Sequence, residues 1–344
     1  MHKFVFVYHA TATPEFFTFP YTTLFRSVRV LDPVLVEPGT RRRVTYTAHR
    51  RGGRLDLGFN ARASHDIVNI ENCPLLVAGL NTLGMALREL LVVALDDGAR
   101  ARVLVNACAN GADVVIEADN APTLAAREAI GAFASRGYAA RVAWKEAGGS
   151  AEPVAQVNVP VVDMSGVSVE VPMGAFLQAS VEGEQAILAQ VMAGVGDASR
   201  IADLYCGVGS FTVALARGAI VRACDSLEAP VRALERAAGR ANLGGRVLAE
   251  VRDLDRQPLD TNELNKFDAV VFDPPRAGAA AQAAEIARSD VPRVVAVSCN
   301  PGTFARDART LVDGGYRLVD VLPVDQFTYS PHVELVARFE RETS

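Results

Sequence analysis

Two reactive side chains sit in segments built to hold them still. Cys299 lies in Ser298-Cys-Asn-Pro301, directly after the apolar run Val294-Val-Ala-Val-Ser298, and Asp273 opens Asp273-Pro-Pro-Arg276 after a second apolar run. If both runs are strands of one parallel sheet, the thiol and the carboxylate share its C-terminal edge, where such sheets bind ligands. Asp203-Leu-Tyr-Cys-Gly-Val-Gly-Ser-Phe211 adds a glycine-rich turn, with Gly207 letting a ligand approach the backbone where helix N–H groups converge. It lacks the Lys-Ser/Thr ending of a phosphate loop and the third glycine of the full dinucleotide fingerprint. Asp225, at the end of the next strand, is placed to accept hydrogen bonds from ribose hydroxyls, and Asp253, at the end of the third, to face an adenine amino group. A thiol and a carboxylate beside a nucleoside pocket suit nucleophilic catalysis with an orienting acid.

The elements that must position these groups follow from hydrophobic periodicity. Strands are expected at 200–205, 219–225, 246–252, 267–273 and 293–299, with helices near 211–217, 227–241, 279–288 and 303–313, and last strands at 316–322 and 332–339. That alternation argues an α/β fold, a doubly wound, mostly parallel sheet over 174–344. From 28 to 173 the pattern is of short strands with one or two helices, a smaller mixed α/β domain. Residues 44–48 and 55–59 flank Arg50-Arg-Gly-Gly-Arg54 as a hairpin with a basic turn, followed by strands at 102–107 and 112–118, a helix at 123–136 capped by Gly137, and strands near 155–162 and 167–171. Residues 1–27 hold eight of the 23 aromatics and read as a non-native or disordered leader.

The 344 residues, half of them hydrophobic and 22% charged, exclude disorder, collagen and coiled coil and suffice for two domains. No apolar run approaches the ~20 residues of a membrane span. Five scattered cysteines do not form a disulfide framework, so a reducing, cytoplasmic setting is the expectation, and a monomer is the default. The net charge of −5 makes the chain no obvious nucleic-acid binder, so an RNA-binding surface must be local. Arg50, Arg51 and Arg54, with Arg41, Arg42, Arg43 and Arg62 around the single acid Asp56, are the candidate; Tyr46 and Phe59 between them either stack bases or form hairpin core.

With these motifs in order, the chain resembles the S-adenosylmethionine-dependent RNA (uracil-5-)-methyltransferases of ribosomal and transfer RNA. The resemblance runs from about Val28 to Phe339 and is most specific at Phe176-Leu-Gln178, Asp203 to Phe211, Asp273 to Gly278, Ser298 to Asp307 and His332-Val-Glu334. It implies a Rossmann-like class I methyltransferase domain with a mostly parallel seven-stranded sheet. It further implies S-adenosylmethionine as methyl donor, held by Gln178, Tyr205, Gly207, Ser210, Asp225, Asp253 and Asp273. Cys299 would be the nucleophile, Asp273 would sit between donor and base, and Glu334 would remove the C5 proton. The chemistry asks for these residue types, because uracil C5 attacks a sulfonium methyl only after a thiolate has added to C6. A base must then take the C5 proton so that the thiol leaves. Arg276, where RNA cytosine-5 methyltransferases usually carry Cys, favours uracil. His332 is expected in a strand, in a structural role. The target base must be unstacked, so the partner is a loop or opened RNA.

The N-terminal portion departs from the family. Cys73, in Ile70-Glu-Asn-Cys-Pro-Leu75, matches the last ligand of the iron–sulfur cluster many members carry, but no cysteine precedes it, so no cluster is expected. The pattern suggests a chain that starts inside the central domain. Ribosomal RNA is the favoured target, and the competing reading is a noncatalytic RNA- or nucleoside-binding remnant.

Overall fold

The computed structural model describes residues 28–61 and 64–342, together with the backbone of 7–9 and 12–15. The remainder of the aromatic leader and Arg62 lie outside the described residues; Val7–His9 and Ala12–Glu15 form an antiparallel pair. The chain divides into two compact units. One comprises 38–163 and 168–181, the other 182–344 with 164–167 and the segment ending at Glu37. Residues 28–37 thus group with the C-terminal half, and 174–181 with the N-terminal unit.

The C-terminal unit is a sheet of β1 (Arg200–Leu204), β2 (Ile220–Asp225), β3 (Val247–Val251), β4 (Ala269–Phe272), β5 (Arg293–Ser298), β6 (Tyr316–Asp325) and β7 (Glu334–Arg341). They lie in the order 3-2-1-4-5-7-6, with β7 antiparallel to both neighbours and β1 to β5 parallel. Two short strands, Arg29–Val30 and Val34–Leu35, extend it by pairing parallel to β6. The apolar runs of β4 and β5 are buried along almost their whole length, as strands covered on both faces must be. Helices α1 (Val181–Val195), α2 (Thr212–Leu215), α3 (Glu228–Arg240), α4 (Thr261–Leu264), α5 (Ala280–Arg288) and α6 (Pro301–Asp313) accompany the strands. Asp260 caps α4 with a full capping box. Asn300 caps α6, with Pro301 in the first turn where its missing N–H costs nothing.

The N-terminal unit has a seven-stranded sheet ordered Ala151–Gln156, Arg141–Glu146, Gly111–Ala118, Arg100–Cys108, Arg43–Arg51, Arg54–Asn60, Ile67–Asn69. Its apolar face packs on helices Ala78–Ala94 and Leu124–Ser135, with Leu87, Leu91, Val103, Ile116 and Ile130 fully enclosed. The expected strand near 155–162 does not exist as such. It straddles the end of Ala151–Gln156 and the start of Val161–Met164, with residues 157–160 between them outside any strand.

Candidate active site

The glycine-rich turn is held by acids at two strand ends. Asp203, buried near the end of β1, accepts the Thr212 hydroxyl at 2.5 Å through Oδ2. Asp225, ending β2, accepts the Gly207 N–H at 2.9 Å and the Leu227 N–H at 2.9 Å, one on each oxygen. Each carboxylate oxygen has a second lone pair, so Asp225 braces the turn and still has acceptor capacity for a ribose. Gly209, at φ +95°, lies against helix α3: a Cβ there would stand 2.5 Å from Leu234 Cδ1. Gly207, at φ +54°, faces open space, and Ser210 beside it is half-buried. Tyr205 also has a positive φ, +61°, and donates its hydroxyl to Asp255 at 3.3 Å. Asp253 caps its own turn, accepting the Asp255 and Arg256 N–H groups at 3.1 and 3.2 Å. The open space over Gly207, beside the Asp225 carboxylate, is the candidate cradle for the adenosyl part of a methyl donor. Gln178 is buried in the N-terminal unit, its backbone carbonyl accepting the Arg42 Nε at 3.1 Å.

The next strand ends carry the reactive groups. Asp273 follows β4, its N–H on the Leu204 carbonyl at 3.2 Å. Cys299 follows β5, one position past the last ladder pair, Ser298 with Leu335, on the side where β7 begins at Glu334. The groups sense one another. Burial first, then the charges of Glu334 and Asp273, push the Cys299 thiol up to about 11, while Arg276 pulls it down. Burial and Asp273 raise Glu334 to about 8, against a hydrogen bond from Gln326 and the charge of Arg276. Burial and Asp203 raise Asp273 to about 7. Arg276 is thus the cation facing this cluster. Its backbone carbonyl is tied to α6 by Asn300 Nδ2 at 2.9 Å and the Thr303 hydroxyl at 3.3 Å. Gly278, at φ +80°, completes the loop where a Cβ would collide with Asp307 and Thr303.

Several expectations are corrected. His332 lies in no strand: β7 starts at Glu334, and His332 is exposed in the preceding loop with its ring nitrogens 3.0 and 3.1 Å from Arg276. Gln326, which sequence reasoning passed over, contacts Glu334; its only sequence signal was a polar residue ending an apolar strand. Asp203, the first residue of the glycine-rich motif, anchors the turn through the Thr212 hydroxyl.

The arginine patch is sorted by burial. Arg42 is buried, Arg43 stacks 4.5 Å over the Phe176 ring, and Arg50 turns its guanidinium to the Leu95 carbonyl, so each has a partner within the fold. Tyr46 is hairpin core, stacked on Phe59 at 5.7 Å. Arg51 and Arg54 are exposed and lean on Asp56 at 2.7 and 3.4 Å. Strand register puts Arg51, Arg54, Arg100 and Arg102 on the face away from the helices, with Lys145 beside them and Glu117 paired to both Arg102 and Lys145. Cys73 packs against the core of the same unit, its N–H on Asn81 Oδ1 at 2.9 Å.

A 3-2-1-4-5-7-6 sheet with a reversed β7 and an acid-edged glycine turn defines a class I S-adenosylmethionine-dependent methyltransferase. Residues 242–341 match the tRNA (uracil-5-)-methyltransferase family model. An RNA methyltransferase of Caulobacter vibrioides, named as uncharacterized, is 42% identical over 320 residues, 91% of this chain and 76% of that protein. The 23S rRNA (uracil(1939)-C(5))-methyltransferase RlmD of Aeromonas salmonicida is 33% identical over 321 residues, 91% of this chain and 72% of that protein. The crystal structure of Pyrococcus abyssi tRNA (uracil-54, C5)-methyltransferase with S-adenosyl-L-homocysteine superposes with a TM-score of 0.71 at 24% identity, covering 93% of this chain and 80% of that one. The chain belongs to the S-adenosylmethionine-dependent RNA (uracil-5-)-methyltransferase family. No helix among the described residues is long and apolar enough to cross a membrane.

Proposed function

We propose that this chain methylates C5 of a uridine in ribosomal RNA through a covalent adduct between Cys299 and C6. The observation that carries the reading is the convergence of Cys299, Asp273 and Glu334 at adjoining strand ends, close enough to shift one another's protonation. The methyl donor supplies an electrophilic sulfonium methyl. Asp225, Gly207, Ser210, Tyr205 and Asp253 would hold its adenosyl part, with Gln178 assigned by family resemblance. Asp273 orients the uracil edge. The Cys299 thiolate adds to C6, electron density moves to C5 and the O4 enolate, and C5 takes the methyl group. Glu334 then removes the C5 proton, and the electron pair expels the thiolate.

Arg51, Arg54, Arg100, Arg102 and Lys145 are the phosphate-binding surface in this reading. It departs from the sequence in moving Arg50 to a structural role. Ribosomal RNA is favoured by the 33% identity to an enzyme named for 23S rRNA over 72% of its length. On this reading the chain acts as a monomer in the cytoplasm.

The test is methyl transfer from labelled S-adenosylmethionine into ribosomal and transfer RNA lacking 5-methyluridine, with Cys299→Ala alongside. Labelled 5-methyluridine in ribosomal RNA from the native protein only is expected. Label in transfer RNA alone overturns the choice of RNA, and turnover by Cys299→Ala overturns the mechanism.

A further inference from the structure

Gln326 is the first residue past β6 and its side chain is buried. Val324 pairs with Glu334 in the β6–β7 ladder, so Gln326, two residues on, is the diagonal neighbour of Glu334. Its carboxamide donates a hydrogen bond to the Glu334 carboxylate. The turn carrying Gln326 is pinned from several sides. Phe327 N–H donates to Asp325 Oδ1 at 3.2 Å and Ser330 N–H to the Phe327 carbonyl at 2.9 Å. From the edge strand, Val36 N–H donates to the Asp325 carbonyl at 2.9 Å, and the Thr328 hydroxyl donates to the Val36 carbonyl at 3.4 Å. A buried donor on a braced turn thus stands beside the Glu334 carboxylate.

The other charged and titratable groups facing Glu334 are Asp273 and Arg276 beyond β4 and Cys299 beyond β5, with His332 two residues before it on its own segment and bound to Arg276. Arg276 acts on Glu334 as a charge, which favours ionisation but fixes no orientation. A hydrogen bond fixes both, because it is directional.

We propose that Gln326 is a positioning residue for the proton-removal step, holding the ionised Glu334 carboxylate in the one orientation that reaches C5. This rests on Glu334 being the base. In that step the C5–H bond breaks with its proton going to Glu334, the C5=C6 bond forms, and the C6–S bond breaks to return the Cys299 thiolate. Addition and methyl transfer precede it and need no donor from Gln326.

Gln326→Met keeps the side-chain length and removes the donor. On RNA carrying 5-fluorouridine, adduct formation should proceed at the native rate, because fluorine at C5 cannot leave as a proton and the step that needs Glu334 never occurs. On unmodified RNA, turnover should fall about tenfold, less than the 10²–10⁴-fold expected for loss of a general base. Methylated adduct should accumulate, and the pH at half-maximal turnover should rise. Native turnover with a native pH midpoint overturns the inference. If Gln326→Met does not fold, Gln326→Glu decides: its carboxyl donates only while protonated, so its activity relative to native should decline from pH 6.5 to 9, and a flat ratio overturns the inference. Glu334→Gln separates the two readings. Native turnover in that variant removes the base assignment itself, whereas its arrest at the methylated adduct beside an unaffected Gln326→Met removes only the role of Gln326.

Discussion

The Thr212 hydroxyl donates to the buried Asp203 carboxylate at 2.5 Å, joining the end of β1 to the first residue of α2 across the glycine-rich turn. The second Asp203 oxygen is buried with no hydrogen-bond partner. The fold therefore prefers the protonated acid, which burial first and the neighbouring Asp225 next raise to about 7. A folded-state value above the unfolded one, near 3.9, means stability is fully present below pH 4 and is lost as pH rises through about 7. The loss is on the order of 3–4 kcal/mol if the group ionises without rearrangement. Asp203→Asn keeps an acceptor for Thr212 and carries no charge. Its denaturant midpoint should exceed the native one by more at pH 8.5 than at pH 5; equal gains at both would show that ionisation of Asp203 is not the cause.

Turnover should depend on pH with a rising limb. Glu334 must be ionised to take a proton and is held at about 8, while Cys299, at about 11, supplies more thiolate at every step upward. The rate should climb through pH 8 and show no maximum near neutrality. Single-turnover rates from pH 6 to 9.5 check this, and a bell centred on pH 7 contradicts it. Arg276 lowers both groups, so Arg276→Met should move the limb upward in pH and slow adduct formation, read on 5-fluorouridine RNA.

The two glycines of the turn should behave differently when substituted. Gly209→Ala puts a Cβ 2.5 Å from Leu234, a contact that cannot persist, at a φ of +95°. It should destabilise the unit by at least ~2 kcal/mol and abolish donor binding. Gly207→Ala meets only open space, so its cost is the positive φ, about 1 kcal/mol, and the new methyl group would enter the donor cradle. Equilibrium unfolding and donor titration separate them: Gly207→Ala should lose affinity with little loss of stability.

The C-terminal unit was legible because its signals are local. The runs Ala269–Phe272 and Arg293–Ser298 are each followed directly by the residue proposed for the chemistry, Asp273 and Cys299. Helix Ala78–Ala94 was not read, for a local reason too: no side chain caps its start, and Gly79 and Gly84 dilute its pattern. A Cβ at Gly84 would stand in ordinary contact with the Tyr46 hydroxyl at 3.5 Å, so crowding does not account for that glycine. Strand Arg141–Glu146 was missed because it pairs parallel to Gly111–Ala118 across an intervening helix, and its Arg141 is buried against Asp113 at 2.8 Å. The fate of each arginine was illegible for the same reason. Arg50 and Arg51 are adjacent in sequence and point to opposite tasks, one to a helix-end carbonyl and one to solvent.

That division of the arginines makes its own prediction. Arg51, Arg54, Arg100 and Arg102 share the helix-free face; Arg51 and Arg54 lean on Asp56, Arg102 on Glu117 and Arg100 on the His65 carbonyl at 2.6 Å, which leaves several guanidinium donors unspent. Each phosphate contact removed should lower the slope of log affinity against log salt by about 0.7 for single-stranded RNA. Arg100→Ala with Arg102→Ala should therefore weaken RNA binding and flatten its salt dependence while leaving donor binding and thermal stability near native. Arg50→Ala should do the reverse, lowering stability through the lost tie to Leu95 with the salt slope unchanged. A salt slope that responds to Arg50 and ignores Arg100 and Arg102 would return the binding surface to the hairpin tip.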